Sequence, residues 1–430
     1  MNSYFKIIRS VLFLVSFISV FTSCKKDVFE SHIPGGNEIK IDSVAFSVGT
    51  HTLLADGKSE LNFIIQVYSK KTVVINGASI DSMVLVPEDR IPDSEKKVFD
   101  NTDKEVSKDF TTASITPSIL SFYAKVGNTK SVVKTVNIKA PETAYNKLII
   151  PVVFHVFELN KTDATRYPWI ESMKHSKLQE LVAGMNAIFN RVGTNNSNGA
   201  SANVEFVLAT KGPNGEILDQ AGYNMFQYAG TFAWGFGTAN ANTLIKANAA
   251  KLLWNPKNYM NVWVLPSAVF SGGITNVRPG FTLSATPLDG VTMTKVNAIT
   301  DVPLTEPVKV GLFVSRDEFY STLRGPAPNL AFRFGIYYGL FQTYNYTWDP
   351  ALSDYCDDTQ VFNVNQFAKI YKTATDGILF RAENIMDATF YDFNIEGGQN
   401  IVSRLNNITS DQVKRIRYVL QNCPERMAWQ

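Results

Sequence analysis

The chain has 430 residues, 45% hydrophobic and 19% charged, the composition of a globular protein long enough for two or more domains. Its formal charge is +2, and setting aside Lys6 and Arg9, which lie in a leader, leaves 39 basic residues against 39 acidic ones. That balance, with no basic run, leaves nucleic acid and anionic lipid surfaces without an electrostatic case.

Residues 1–23 read as an export signal, with Lys6 and Arg9 as the positive region and Val11 to Phe21 as an apolar stretch too short for a comfortable membrane span. The stretch ends in Phe21-Thr22-Ser23-Cys24, which resembles a bacterial lipoprotein box. The resemblance implies that Cys24 becomes the lipidated first residue, its acyl chains (palmitate among them) anchoring the protein to the outer membrane, with the membrane face open. The competing reading is an ordinary signal with an incidental Cys. Residues 24–37 would form the linker behind the anchor.

Residues 38–140 read as a separate β-rich unit. Val44, Phe46 and Val48 alternate with other residues, as do Leu61, Phe63, Ile65 and Val67. Ser121 to Val126 and Ser131 to Ile138 flank Gly127-Asn128, a two-residue hairpin signal. Several short strands over this length predict an immunoglobulin-like sandwich. Pro87 to Asp109, rich in Asp, Glu and Lys, reads as a long exposed loop, and Pro141 to Asn146 as a linker.

Residues 147–430 mix strand and helix patterns and predict an α/β (α+β) domain. Leu148 to Glu158 (LIIPVVFHVFE) is a strand. Ser176 to Val192 is a helix with Leu178, Leu181, Val182, Met185, Ile188 and Phe189 on one side. Thr194 to Ala202 and Gly230 to Asn242, rich in Gly, Ala and Asn, read as loops. Asn329 to Tyr344 (NLAFRFGIYYGLFQTY) has the apolar spacing of a buried helix. The aromatic run Tyr337, Tyr338, Phe341, Tyr344, Tyr346 and Trp348 fits a cleft wall or a core equally well.

The four His are His32, His51, His155 and His175, none within helical ligand spacing of another, and core or turn positions account for them. Of the three Cys, taking Cys24 as lipidated leaves Cys356 and Cys423. In an oxidising compartment these two are expected to form a disulfide, the alternative being two buried thiols.

The segment NLAFRFGIYYGLFQTY also resembles the active-site helix of the pappalysin (cytophagalysin) branch of the metzincin zinc proteases, HExxHxxGxxH within LAHExGHxxGLxHTF. Leu330, Ala331, Gly335, Gly339, Leu340 and Thr343 match, but the metal-binding positions fall on Phe332, Ile336 and Gln342 and the catalytic Glu position on Arg333. Further segments match in family order: the strand at Leu148 to Glu158, Tyr259 to Pro266 (YMNVWVLP), Asp289 to Met293 (DGVTM) as a substrate-pairing edge strand, and Asp354 to Gln360 (DYCDDTQ). Asn384 to Asp387 (NIMD) follows as a Met-turn with Met386, then Asp411 to Cys423 as a closing helix. The resemblance implies a metzincin-like domain. Its zinc chemistry is not implied, since Phe and Ile have no lone pair, Arg cannot act as a base, and Gln is a poor zinc partner.

The expected function is therefore a membrane-anchored non-catalytic protease relative, with no cofactor, that binds a peptide, protein or glycan. The rivals are an active metalloendopeptidase using unconventional ligands and an adhesion protein. The cluster Asp354, Asp357 and Asp358 could hold a structural calcium ion. Arg333 is expected to be buried against one of the Asp residues Asp357, Asp358 and Asp387, or against a carbonyl.

Overall fold

In a computed structural model of the chain, the structure describes residues 39–75, 78–166, 172–228, 238–266, 277–320, 326–345, 353–366, 369–387, 395–396, 399–400 and 405–429. Residues 1–38, read above as leader and linker and including Cys24 and His32, lie outside these residues, as do Tyr346 and Trp348. Among the described residues no helix is long and apolar enough to cross a membrane.

The first part is all strand apart from two short 3-10 turns. β1 (Ser43–Ser47) pairs with β3 (Ile64–Ile75), which pairs with β4 (Ala78–Leu85). A second sheet contains β2 (Thr52–Leu54), β5 (Lys96–Asp100), β6 (Glu105–Val106), β7 (Ile119–Val126), β8 (Thr129–Lys130) and β9 (Lys134–Lys139). Its order is β2-β9-β7-β5-β6, with β8 on β7. Val44, Phe46 and Val67 from the first sheet meet Val98, Phe122 and Val136 from the second in one apolar core.

Two readings of this part need correction. Pro87 to Asp109 is not one loop, because β5 runs through it beside β7 in the second sheet. Its charges hid the strand, since Lys96 is buried and satisfies its amine on the Glu88 carbonyl (3.2 Å) and the Asp93 carboxylate (3.3 Å). The strand expected from Ser131 to Ile138 starts three residues later, at Lys134. The Gly127-Asn128 turn is present, but Ser131 Oγ takes the Ala124 N–H at 2.9 Å, and pairing resumes only at Lys134.

The second part is built on a parallel sheet. β10 (Leu148–Glu158) lies between β11 (Val204–Leu208) and β13 (Met260–Leu265), and β13 pairs with β16 (Gly311–Ser315). β12 (Tyr223–Gln227) continues beside β10 beyond β11. Strand side chains alternate faces. Val152, Phe154 and Val156 of β10 join Val262 and Leu312 on one face, whereas Phe157, Trp263 and Phe313 point to the other. Both faces are covered, so the strands read as near-continuous apolar runs, as parallel sheets do. α1 (His175–Phe189) packs on the first face, and α2 (Thr238–Ala247) on the second through Ala241 and Ile245. α2 begins inside the segment read as a loop.

Leu178, Leu181, Val182, Met185, Ile188 and Phe189 are the buried residues of α1, matching the expected stripe. Two further helices complete this layer, α3 (Pro326–Tyr337) and α4 (Ser410–Asn422). Gly184 of α1 lets α3 approach closely: a Cβ there would lie 2.6 Å from that of Ala327.

Asp289 to Met293 does not form the expected edge strand. Residues 289–290 make a turn, and pairing starts at β15 (Thr294–Lys295), which lies parallel to β14 (Phe281–Thr282) outside the main sheet. Gly290, at φ +75, is pressed against the Tyr355 ring, which fixes the bend.

The two parts meet along a polar seam. Arg191 donates to Asp56 at 2.6 Å and to Ser59 at 2.8 Å. The Leu54 N–H reaches the Ser197 carbonyl (2.9 Å) and the Glu60 N–H that of Asn195 (2.8 Å). Ser47 donates to the Leu379 carbonyl at 2.6 Å. The loop around 194–202 is thus the docking loop of this seam.

Candidate functional site

The site begins at α3. Pro326 opens the helix, where its missing N–H costs nothing. The helix breaks after Tyr337: Gly339 adopts φ +87, and the Leu340 N–H turns back to the Gly335 carbonyl at 2.9 Å. Only Gly fits there, since a Cβ would also press on Leu288 and Val419. The helix therefore ends in a sharp turn at Gly339.

Phe332 and Ile336, one turn apart, both belong to the large apolar core on the α-layer face of the sheet. Phe332 is 1% exposed and Ile336 7%. Gln342 is half-buried beyond the turn. Arg333 is buried, with its guanidinium 5.9 Å from the centre of the Phe332 ring. Asp358 accepts from Thr409 and Asp411, and Asp387 from Thr343, Glu383 and Asn384. Of the aromatic run, Tyr337, Tyr338 and Tyr344 are core, while Phe341 lies half-buried between Arg278, 3.6 Å from its centre, and the Tyr355 ring at 5.2 Å.

Met386 lies beneath α3. Its sulfur would stand 3.2 Å from a Cβ at Gly335, the residue before Ile336. The turn carrying it is closed by the Asp387 N–H to the Asn384 carbonyl (2.9 Å) and by the Met386 N–H to the Asn384 side chain (2.9 Å). Thr343 ties this turn to the end of the motif, donating to the Met386 carbonyl (3.0 Å) and Asp387 Oδ1 (2.8 Å). Asn384 and Gln412 exchange two amide bonds, at 2.8 and 3.2 Å, which fasten the turn to α4. Thr409 and Gln412 form a capping box at the start of α4, and Asp358 accepts from Thr409 Oγ1 at 2.6 Å and the Asp411 N–H at 3.0 Å. The T-x-x-Q spacing of Thr409 and Gln412 is a signal that could have located this cap from sequence.

Three carboxylates of this network are raised to about 6. Burial is the main cause for Asp354, Asp358 and Asp387. The Asp411 charge adds to the effect at Asp358, while the Thr343 hydroxyl opposes it at Asp387. Asp354 spends its oxygens on Thr359 Oγ1 (2.6 Å) and the Cys356 N–H (3.3 Å). Among the described residues no three His, Cys, Asp or Glu gather as a metal-binding group.

The remaining histidines are held locally. His155, fully buried in β10, lies 2.9 Å from Asn261 Oδ1 and 2.7 Å from the Asn224 amide, and burial lowers its pKa to about 4. His175 contacts the Ala221 carbonyl, and His51 lies 3.0 Å from Asp376.

The expected Cys356–Cys423 disulfide is absent: both are free, buried thiols. Tyr355, next to Cys356 in the chain, has its ring centre 5.5 Å from the guanidinium of Arg415, early in α4, whereas Cys423 follows the end of the helix. Eight helical residues rise about 12 Å, and a disulfide needs Cα atoms within about 7 Å. An even count and an oxidising compartment could not reveal that separation.

The residues at the zinc positions do not fit zinc. Two hydrocarbon side chains offer no electron pair, the amide of Gln342 is a weak donor, and Arg333 brings positive charge into the same helix turn. What the helix, the Gly339 turn and the Met386 turn form is a scaffold on the α-layer of a mixed α/β fold.

Among solved structures, three of mirolysin from Tannerella forsythia are similar to this chain. Mature mirolysin in complex with a cleaved peptide aligns at TM-score 0.44 and 19% identity, over 66% of this chain and 97% of that one. A promirolysin mutant aligns at 0.43 and 18%, over 66% and 85%, and mirolysin in complex with compound 9 at 0.44 and 18%, over 66% and 97%. No family model and no curated protein matches the chain.

Proposed function

We propose that this chain is an exported, lipid-anchored relative of the pappalysin-type metzincins that has lost peptidase chemistry and serves as a binding protein. In this reading its N-terminal part is an immunoglobulin-like module. The observation that carries it is the burial of Phe332 and Ile336 in the apolar core at the two helical metal positions, with Arg333 at the position of the general base. A catalytic zinc requires three donors and an open position, and a water needs a base to activate it; these residues supply neither. The Gly339 turn and the seat of Met386 against Gly335 support descent from an active scaffold. Cys24 is the proposed lipidation site, and the ligand is a peptide, protein or glycan.

Metal analysis of the purified full-length chain, with casein cleavage measured with and without chelator, tests this. The expected result is zinc well below one per chain and no chelator-sensitive cleavage. Stoichiometric zinc with chelator-sensitive cleavage overturns it. For the anchor, labelled palmitate should enter the wild type and not Cys24→Ala.

A second reading, a structural adhesion protein, is favoured by the tight packing of Phe332, Ile336, Tyr337 and Tyr338, which fills the old catalytic face with core.

A further inference from the structure

Just past the Gly339 turn, the fold orients a guanidinium and leaves it without an acid. Arg278 lies 3.6 Å from the centre of the Phe341 ring. At van der Waals separation the planar group must rest on the face of the ring, so its N–H groups point out past the ring edge. Nε donates to the Leu340 carbonyl at 3.3 Å. The two Nη atoms have no partner among the described residues. They still reach solvent: the enclosed, unpartnered side-chain atoms of the described residues include Nε of Arg191, Arg316 and Arg417, but no atom of Arg278.

The surroundings of Arg278 call for negative charge. Burial, reinforced by the like charge of Arg415, lowers its pKa to about 10, and the Tyr355 hydroxyl is the one group that opposes them. Arg415 is better provided. Burial lowers its pKa too, but Cys356, Asp354 and Asp289 all act the other way, and it donates to the Gly339 and Asp289 carbonyls at 3.0 and 2.9 Å. A half-buried guanidinium without a carboxylate is a standing cost, and an incoming anion that accepts from both Nη atoms removes it.

The neighbouring ring narrows the choice of anion. Tyr355 lies 5.2 Å from Phe341 and is 43% exposed. Its backbone sits at φ +60, a region that residues other than Gly seldom adopt, and Gly290 presses on its ring. A fixed apolar face thus stands beside a planar fork of donors. Asp289 is exposed beside Arg415, so a polyanion would meet a like charge. One carboxylate next to an apolar side chain fits both features, and a peptide supplies that pair.

We propose that the Nη atoms of Arg278 bind a peptide carboxylate, with an adjoining apolar side chain of the peptide lying on Tyr355. The inference rests on the reading of the chain as a binding protein and narrows its ligand to a peptide.

The test is calorimetric titration of the full-length chain with acetylated polyalanine hexapeptides ending in Phe, Tyr, Leu or Val. Each is made as the free acid, as the C-terminal amide, and as the amide with one internal Glu; inorganic phosphate and polygalacturonate are comparators. At least one free acid should bind, and its amide about tenfold more weakly, the worth of a hydrogen bond to a charged group. Equal binding of the Glu-containing amide would place the carboxylate on a side chain, and weaker binding would place it at the chain end. Arg278→Gln should erase the difference between acid and amide, and Arg278→Lys should keep part of it. The acid and amide pair on the wild type, with Arg278→Lys, keeps the test decisive if Arg278→Gln does not fold. The proposal fails if the carboxylate peptides bind no better than the plain amides, if a comparator alone binds, or if the difference survives in a folded Arg278→Gln chain. Chelator-sensitive cleavage of the bound peptide would instead overturn the non-catalytic reading and leave the carboxylate site standing.

Discussion

Phe332 is packed among the apolar side chains of the core, and its ring has no lone pair to offer a metal. Phe332→Ala should cost about 3–5 kcal/mol, read from urea unfolding; a loss below about 1 kcal/mol would mean that the position is not packed. Restoring donors is the complementary experiment. Combined Phe332→His, Ile336→His and Gln342→His should give a chain whose melting temperature rises on adding zinc, because the Gly339 turn and the Met386 seat are already in place. At Cys356 and Cys423, burial pushes both thiols well up. They should stay silent to Ellman's reagent in the folded protein and react on unfolding without reductant, and a reductant should leave the melting temperature unchanged.

Among the elements, α4 and the Met386 turn are coupled through buried carboxylates, and this coupling carries a pH signature. Asp354, Asp358 and Asp387 hold protons more tightly folded, at about 6, than at the ordinary value of 3.8. The folded chain therefore binds more protons between about pH 4 and 6, and their contribution is fully present below that window. It is lost as pH rises through about 6. The melting temperature should fall from pH 5 to pH 7, and Asp354→Asn should flatten that slope; a melting temperature that rises over the same interval would contradict the assignment. Thr409→Ala removes the cap of α4 and the partner of Asp358, and should cost about 1–2 kcal/mol.

Elements whose signal is local were legible in the sequence. α1 showed its stripe, and β10 spans the residues read for it, because a buried strand of a parallel sheet is one long apolar run. The residues that form the Gly339 turn and the Met386 turn were likewise visible. β5 was hidden because its burial depends on β7, more than twenty residues away, and on a lysine that finds its partners only after folding. The edge strand at Asp289 to Met293 failed because Gly290 bends against Tyr355, a contact that no local pattern encodes.

Across the whole molecule, the seam was invisible in the sequence, since Arg191, Asp56 and Glu383 look like ordinary surface charges until both parts are assembled. The Arg191–Asp56 pair is largely shielded, with side chains 14% and 17% exposed. Breaking such a pair strands a charge and costs roughly 3–5 kcal/mol. Arg191→Ala should therefore split a single calorimetric transition into two, whereas an unaltered single peak would show that the parts hold together by other means.

A joint made of hydrogen bonds is stiff in angle, because each bond weakens steeply once its alignment falls below about 120°, while greasy contacts can slide. Arg191, Leu54, Glu60 and Ser47 together lock several directions at once. Force applied across this joint is therefore expected to break it in one step, not to let one part slip along the other.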